Sequence, residues 1–150
     1  MPKHLEYSAK VACTPAQAFR IMTDTERWRC SLVYGDIVWT QGEPWQPGSI
    51  RRAETLVPFR ATHTQKILDY RKDEMVEMLG HGMGYLNQTQ VTVKPGVEGG
   101  TEVRFSIDLE GNMALMFGMV IEEFVRRFME VYIAELTRFC LQRDAEPSVH

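Results

Sequence analysis

The residues best suited to acid/base chemistry in this sequence are His63 and Tyr85, with Glu54 as a weaker carboxylate candidate. A general acid or base must titrate, and it must be held in a site from which water is excluded. His63 and Tyr85 both fall in alternating, strand-like segments, so a sheet would bring them to a common face. A single histidine on a strand is more often structural than catalytic, and the residues leave both interpretations open.

The common signatures of catalytic and metal sites are missing from the sequence. There is no G-x-S-x-G, phosphate-binding loop or dinucleotide fingerprint, and the glycines of "GHGMG" (80–84) are instead predicted to relieve crowding where strands bend. The four histidines lack metal-ligand spacing, so neither a metal site nor a cofactor is predicted. Cys13, Cys30 and Cys140 form no C-x-x-C pair and are predicted to be free thiols of a reducing compartment.

The composition restricts the class of protein. A chain of 150 residues with 44% hydrophobic and 25% charged residues is typical of one globular domain, predicted here at 1–144 with a frayed polar tail at 145–150. The net charge of −3 argues against nucleic acid and anionic membranes as partners. No uncharged apolar run is long enough to span a membrane, and the first residues lack a signal-peptide core, so a cytoplasmic location is expected.

Alternation with a period of two residues dominates the first two thirds of the chain. The segment "HLEYSAKVA" alternates apolar and polar side chains, which predicts a half-buried first strand. A short helix should follow, capped by Thr14 with Gln17 completing a capping box, and then a helical turn with Trp28 packed inward. Further alternating segments joined by hairpin turns give seven predicted strands in an antiparallel meander, with the first strand at an edge.

One long helix is predicted to end the chain, from about residue 112 to residue 140 and with a length of about 45 Å. Its apolar arc comprises Phe117, Ile121, Phe124, Val125, Phe128, Tyr132, Leu136 and Phe139. Charged residues lie on the opposite side, as in an amphipathic helix. A helix of this length covers a sheet only if the sheet curves around it, so we predict an α+β fold in which a curved seven-stranded sheet wraps around the C-terminal helix.

Three sequence features together resemble a known superfamily. They are "TPAQAFRIMTDTERW" after the first strand, a W-x-x-G-x-x-W-x-x-G hairpin from Trp39, and P-x-x-x-x-G-T-E-V from Pro95. With the long final helix, residues 3–142 resemble the START-like superfamily, also called SRPBCC or helix-grip, and in particular its polyketide cyclase/dehydrase-like members.

The resemblance implies a cavity between sheet and helix for an apolar or amphipathic molecule such as a lipid, sterol, polyketide or hormone. Some members of the superfamily are aromatase/cyclases or other enzymes, others bind or transport ligands, and one branch assists a chaperone. The fold alone does not choose among these functions.

The alternation also predicts which side chains would line such a cavity. If Val91 and Val93 face the helix, the polar Asn87 and Thr89 share their face, and these side chains need a ligand or water as partner. Alternatively, these strands end near solvent. The inward face of residues 49–57 is not assigned. The predicted ligand-binding residues are Trp39, His63, Gln65, Met78, Tyr85, Asn87, Met113, Phe117, Val120 and Phe124.

Three functions are therefore open, and none of them identifies a particular ligand. The first hypothesis is a protein that binds a small hydrophobic or amphipathic molecule, either lipid-, polyketide- or aromatic-like. The second is a polyketide cyclase/aromatase-type enzyme in which His63 and Tyr85 are the acid/base groups. The third is a protein-interaction module, or a homodimer, that uses the methionine-rich start of the last helix, including Met116 and Met119.

Overall fold

A computed structural model describes residues 3–82, 84–111 and 118–145. The strands are β1 (Lys3–Val11), β2 (Tyr34–Gln41), β3 (Ile50–Thr55), β4 (Ala61–Arg71), β5 (Met75–Gly82), β6 (Tyr85–Pro95) and β7 (Thr101–Glu110). The helices are α1 (Pro15–Met22), α2 (Thr25–Arg29) and α3 (Gly118–Ala145). The predicted helix start at residue 112 lies outside the described residues. None of the helices in these ranges is long and apolar enough to cross a membrane.

Across these ranges the strands form one seven-stranded antiparallel sheet in the order β1-β7-β6-β5-β4-β3-β2. From β2 to β7, each strand pairs with the next one along the chain. The last strand, β7, also pairs with β1, with Lys3 opposite Leu109 and Val11 opposite Thr101. The predicted meander with the first strand at an edge is therefore confirmed. The sheet is curved, and α3 lies on its inner face, which confirms the predicted α+β architecture.

The two short helices turn the chain beneath α3 for reasons visible in the sequence. Thr14 Oγ1 accepts a hydrogen bond from the Gln17 backbone N–H at 3.2 Å, and Gln17 Oε1 accepts one from the Thr14 N–H at 2.9 Å. This is the predicted capping box, which satisfies two amides at the helix start. Trp28 in α2 is only 3% exposed, and its ring stacks on Tyr132 of α3 with the centroids 4.3 Å apart.

The packing of α3 follows its predicted apolar arc. Ile121, Leu136 and Phe139 are buried, and Phe124 and Phe128 are partly buried against the same core. On the outer side, Arg127 Nε lies 3.2 Å from a carboxylate oxygen of Glu123, in a solvent-exposed pair of the kind that adds little stability. The stability of this helix therefore comes from its apolar contact with the sheet.

The cysteine prediction was wrong for two of the three residues. Cys13, in the turn after β1, and Cys140, in α3, form a disulfide with their Cα atoms 5.5 Å apart, and both side chains are buried. The wide sequence separation hid this contact, because only the packing of α3 against the end of β1 brings the two residues together. Cys30 is a free and exposed thiol.

Candidate functional site

A cavity of about 150 Å³ lies between the inner face of the sheet and α3. The helix contributes Phe124, Val125, Phe128, Met129 and Tyr132 to its walls. Phe59, in the β3–β4 connection, also lines the cavity and is 43% exposed, so the mouth lies beside this ring. A void of this size holds about one aromatic ring, and it is smaller than the typical site of about 300–1,000 Å³ for larger ligands.

Two glycines of the central strand β5 shape the floor of the cavity. Gly82 of β5 pairs with Tyr85 of β6, and the His63 side chain of β4 lies next to Gly82 on its other side. A Cβ atom added to Gly82 would lie 2.5 Å from Nδ1 of His63, which is closer than real contacts allow. Glycine at this position therefore lets the imidazole lie over the neighbouring strand.

The same arrangement recurs two residues further along the three strands, away from the end of β5. Gln65, Gly80 and Asn87 are aligned across the same three strands. A Cβ atom added to Gly80 would lie 2.6 Å from the side-chain nitrogen of Asn87. The prediction that the glycines of "GHGMG" relieve crowding is confirmed at both positions, and the result is a floor on which polar side chains rest.

His63 and Tyr85 both line the cavity with ionisation altered by their surroundings. Burial lowers the pKa of the His63 imidazole, and the nearby His81 lowers it further, so His63 is neutral near pH 7. Burial raises the pKa of the Tyr85 hydroxyl, so it remains a neutral donor. Their backbones are two strand spacings apart, about 10 Å, and a reacting group between them would be needed to connect them.

Arg51 is the most unusual residue of the cavity wall, and the sequence did not predict it. Its side chain points inward from β3 and is only 4% exposed. The guanidinium carbon lies 4.8 Å from the centroid of the Trp45 ring, 5.6 Å from that of Trp39 and 5.9 Å from that of Tyr34. Its Nε–H donates to Oε1 of Gln65 at 2.6 Å. Burial lowers the pKa of Arg51, but an arginine remains charged at neutral pH.

Two tyrosine hydroxyls complete this polar end of the cavity. Tyr34 and Tyr132 both line it, and both are close enough to Arg51 to interact with it electrostatically. Burial raises the pKa of each hydroxyl above its ordinary value. Both side chains are therefore neutral O–H groups that can donate a hydrogen bond next to the guanidinium.

Several residues predicted from the sequence do meet at this cavity. Those that line it are His63, Gln65, Met78, Tyr85, Asn87 and Phe124. The alternation of β4 and β6 was assigned correctly, because their inward positions are uninterrupted along the residues that line the cavity. Met113 and Phe117 lie outside the described residues.

Three predicted site residues do not line the cavity. Glu54 lies on the outer face of β3, where its carboxylate is 3.7 Å from Nε of Arg60. Val120 is 46% exposed, because one helical step turns it away from the buried Ile121. Trp39 packs against Arg51 without lining the cavity itself, and its indole N–H is buried without a partner among the described residues.

Comparison with known proteins agrees with this architecture. Residues 2–139 match the model of a family described as polyketide cyclase / dehydrase and lipid transport. No curated protein matches the chain.

Solved structures share the fold at low sequence identity. The Zhui aromatase/cyclase from Streptomyces sp. R1128 has a TM-score of 0.80 at 11% identity, covering 95% of this chain and 96% of that one. Ara h 8.0201 has a TM-score of 0.77 at 14% identity, with 95% and 99% covered. A START superfamily protein from Mycobacterium smegmatis has a TM-score of 0.76 at 12% identity, with 93% and 97% covered.

Proposed function

Since the chain belongs to the polyketide cyclase/dehydrase and lipid transport family, we propose that it binds a small hydrophobic or amphipathic molecule between the sheet and α3. The observation that carries this proposal is the cavity itself, which has apolar walls and a few polar groups. A well-packed interior leaves few voids larger than a water molecule, so an opening of about 150 Å³ is costly unless something fills it.

A matched pair of variants tests whether the cavity is where the ligand binds. Thr89 lines the cavity, whereas the preceding residue Gln88 points outward from the same strand. Thr89→Leu should fill the void and weaken the binding of toluene at least about tenfold, while Gln88→Leu should leave it unchanged. Trp28 and Trp45 line the cavity, so a toluene titration is followed by their fluorescence.

The outcome of this titration is decisive for the proposal. Saturable toluene binding that Thr89→Leu weakens and Gln88→Leu preserves supports a ligand in the cavity. No saturable binding to the wild-type protein, or equal loss in both variants, would contradict it. Native mass spectrometry of the purified protein is the complementary experiment, since a retained natural ligand adds its own mass to the protein.

A second candidate function, an enzyme of the cyclase type, is favoured by one observation. A neutral imidazole and a neutral phenol share the cavity, in the states needed for a base and a hydrogen-bond donor. This pair suits proton abstraction next to a carbonyl, in which His63 takes the proton and Tyr85 stabilises the enolate oxygen.

Deuterium exchange at an acidic C–H of benzoylacetone tests this candidate. We expect the wild-type protein to accelerate the exchange in deuterated water, and His63→Gln to remove the acceleration while toluene binding persists. His4→Gln is the matched control, because His4 is exposed on the edge strand β1, where its ring contacts Asp108, and it does not line the cavity. Exchange at the same rate with and without protein would exclude this chemistry for the probe.

The third hypothesis, an interaction surface at the start of the last helix, has weaker support. Met119 is 84% exposed and Val120 is 46% exposed, so two apolar side chains face solvent there. Isolated exposed apolar residues are common on protein surfaces. Light scattering of Met119→Glu tests the idea, and an oligomeric state identical to that of the wild-type protein would contradict it.

A further inference from the structure

Arg51 lacks a counter-charge among the described residues. An arginine buried to this degree is normally paired with a carboxylate, because removing its charge from water costs several kcal/mol. Several arginines at the surface of this protein form such pairs, for example Arg29 with Glu26 at 2.9 Å and Arg138 with Glu135 at 2.9 Å. Within residues 3–82, 84–111 and 118–145, the ionisable groups that act on Arg51 are the hydroxyls of Tyr34 and Tyr132.

The contacts that Arg51 does make leave most of its hydrogen-bonding capacity unused. A guanidinium has five N–H donors, and within the part of the chain that the structure describes only the Nε–H has an acceptor, the Gln65 amide. The aromatic rings of Trp45, Trp39 and Tyr34 attract the cation without accepting conventional hydrogen bonds. These contacts hold the planar group in place, and its remaining N–H groups belong to a side chain that lines the cavity.

We propose that Arg51 binds a carboxylate-sized oxyanion on the ligand, so that the natural ligand is a small aromatic or aliphatic acid. This inference rests on the proposed ligand-binding function of the cavity. The planar guanidinium matches a carboxylate, which can accept two parallel N–H groups at once. The hydroxyls of Tyr34 and Tyr132 are additional donors at the same end of the cavity.

The volume of the cavity limits the size of the apolar part of the ligand. A volume of about 150 Å³ takes a body of about one ring next to the acid group. Apolar side chains of the wall, including Phe105 and Phe128, would contact this body. A bulkier tetrahedral phosphate leaves less room for the apolar part, so a carboxylate is preferred over a phosphate.

Isosteric probes separate charge recognition from simple filling of the cavity. Benzoate and benzamide have nearly the same shape, but only benzoate is charged at neutral pH. We expect the wild-type protein to bind benzoate about ten- to a hundredfold more tightly than benzamide, as for a hydrogen bond to a charged group. Arg51→Met should remove this preference while benzamide binding changes by less than about threefold.

The neighbouring arginine provides the matched control. Arg52 follows on the outer, exposed side of the same strand, so Arg52→Met makes the same chemical change away from the cavity. We expect it to keep the full preference for benzoate. Equal affinities of the wild-type protein for benzoate and benzamide, or an unchanged preference in Arg51→Met, would overturn the proposal. Tighter binding of phenyl phosphate than of benzoate would overturn the assignment to a carboxylate.

A measurement on the wild-type protein covers the case in which Arg51→Met does not fold. The Nε–H of a buried arginine gives a protected resonance in a ¹⁵N NMR spectrum, and this resonance should shift with benzoate but not with benzamide. No shift with benzoate would overturn the proposal. Failure of the proposed function looks different, because then toluene, benzamide and benzoate would all leave the tryptophan fluorescence unchanged.

Discussion

Replacing Phe124 by alanine distinguishes a cavity from solid core in the middle of α3. The Phe124 ring lines the cavity, is partly buried, and packs edge-to-face on Phe59 with the centroids 5.1 Å apart. Phe139, on the same helix, is only 5% exposed and packs edge-to-face on Trp28 at 5.2 Å, away from the cavity. The same substitution at the two positions therefore removes the same atoms from different surroundings.

The structure sets different magnitudes for the two substitutions. Phe124→Ala loses about 1–1.5 kcal/mol of transfer free energy for a partly buried ring and about 0.5–1 kcal/mol for its aromatic pair. Its removal enlarges a void that already exists, so we expect about 2 kcal/mol in total. Phe139→Ala leaves a new void in close-packed core and should cost about 3–5 kcal/mol.

Urea unfolding of both variants measures the difference, provided that the slopes of the transitions agree. Titrations with toluene and with the bulkier ethylbenzene should also show that Phe124→Ala binds ethylbenzene more tightly than the wild-type protein does. The reasoning would be refuted if Phe124→Ala cost as much as Phe139→Ala and left the preference between the two probes unchanged. Any ligand site would then have to lie elsewhere in the molecule.

Three further predictions follow from single contacts. Gly80→Ala should displace the Asn87 amide into the cavity and weaken toluene binding at least about threefold. The free energy of unfolding should change by less than about 1 kcal/mol. An unchanged affinity for toluene would contradict this prediction. Because the folded-state pKa of His63 is lowered, its neutral form stabilises the protein above about pH 6.5, and this contribution should fall as the pH decreases. In urea unfolding, the free energy of unfolding of His63→Gln should therefore decrease less between about pH 7.5 and about pH 5.5 than that of the wild-type protein. Parallel pH profiles of the two proteins would argue against this prediction. The Cys13–Cys140 disulfide closes a loop with a sequence separation of 127. Its reduction should lower the free energy of unfolding by up to about 5 kcal/mol. Equal urea midpoints with and without reductant would disprove this.

The fold was predictable because its signals are local and repeated. Strands β1, β6 and β7 show their alternation within a few residues, and the Thr14 capping box lies within four residues of chain. The arc of α3 is likewise read from the helical period, as Ile121 and Leu136 show. Such signals do not depend on knowing the register of the whole sheet.

The site was less predictable because it depends on register and on contacts between distant segments. Register shifts near Ile37 and Trp39 interrupt the alternation of β2. The inward face of its partner β3 could therefore not be assigned from the pairing of the two strands. Without that assignment, Arg51 reads as an ordinary exposed arginine. The pairing of Cys13 with Cys140 depends in the same way on tertiary packing that no short pattern encodes.

The exceptions to the rules of the fold cluster around one cavity. Gly80 lies inside the central strand β5 and Gly82 ends it, where β-branched residues pack better. Arg51 lies on an inward face, where apolar residues are expected. The indole N–H of Trp39, next to Arg51, is buried without a partner among the described residues. A sequence that specified only this fold would have replaced each of them by a better-packed side chain. Their position around the same void is therefore the strongest argument for the proposed ligand site, and Arg51 is the residue on which the proposed recognition of an acid depends.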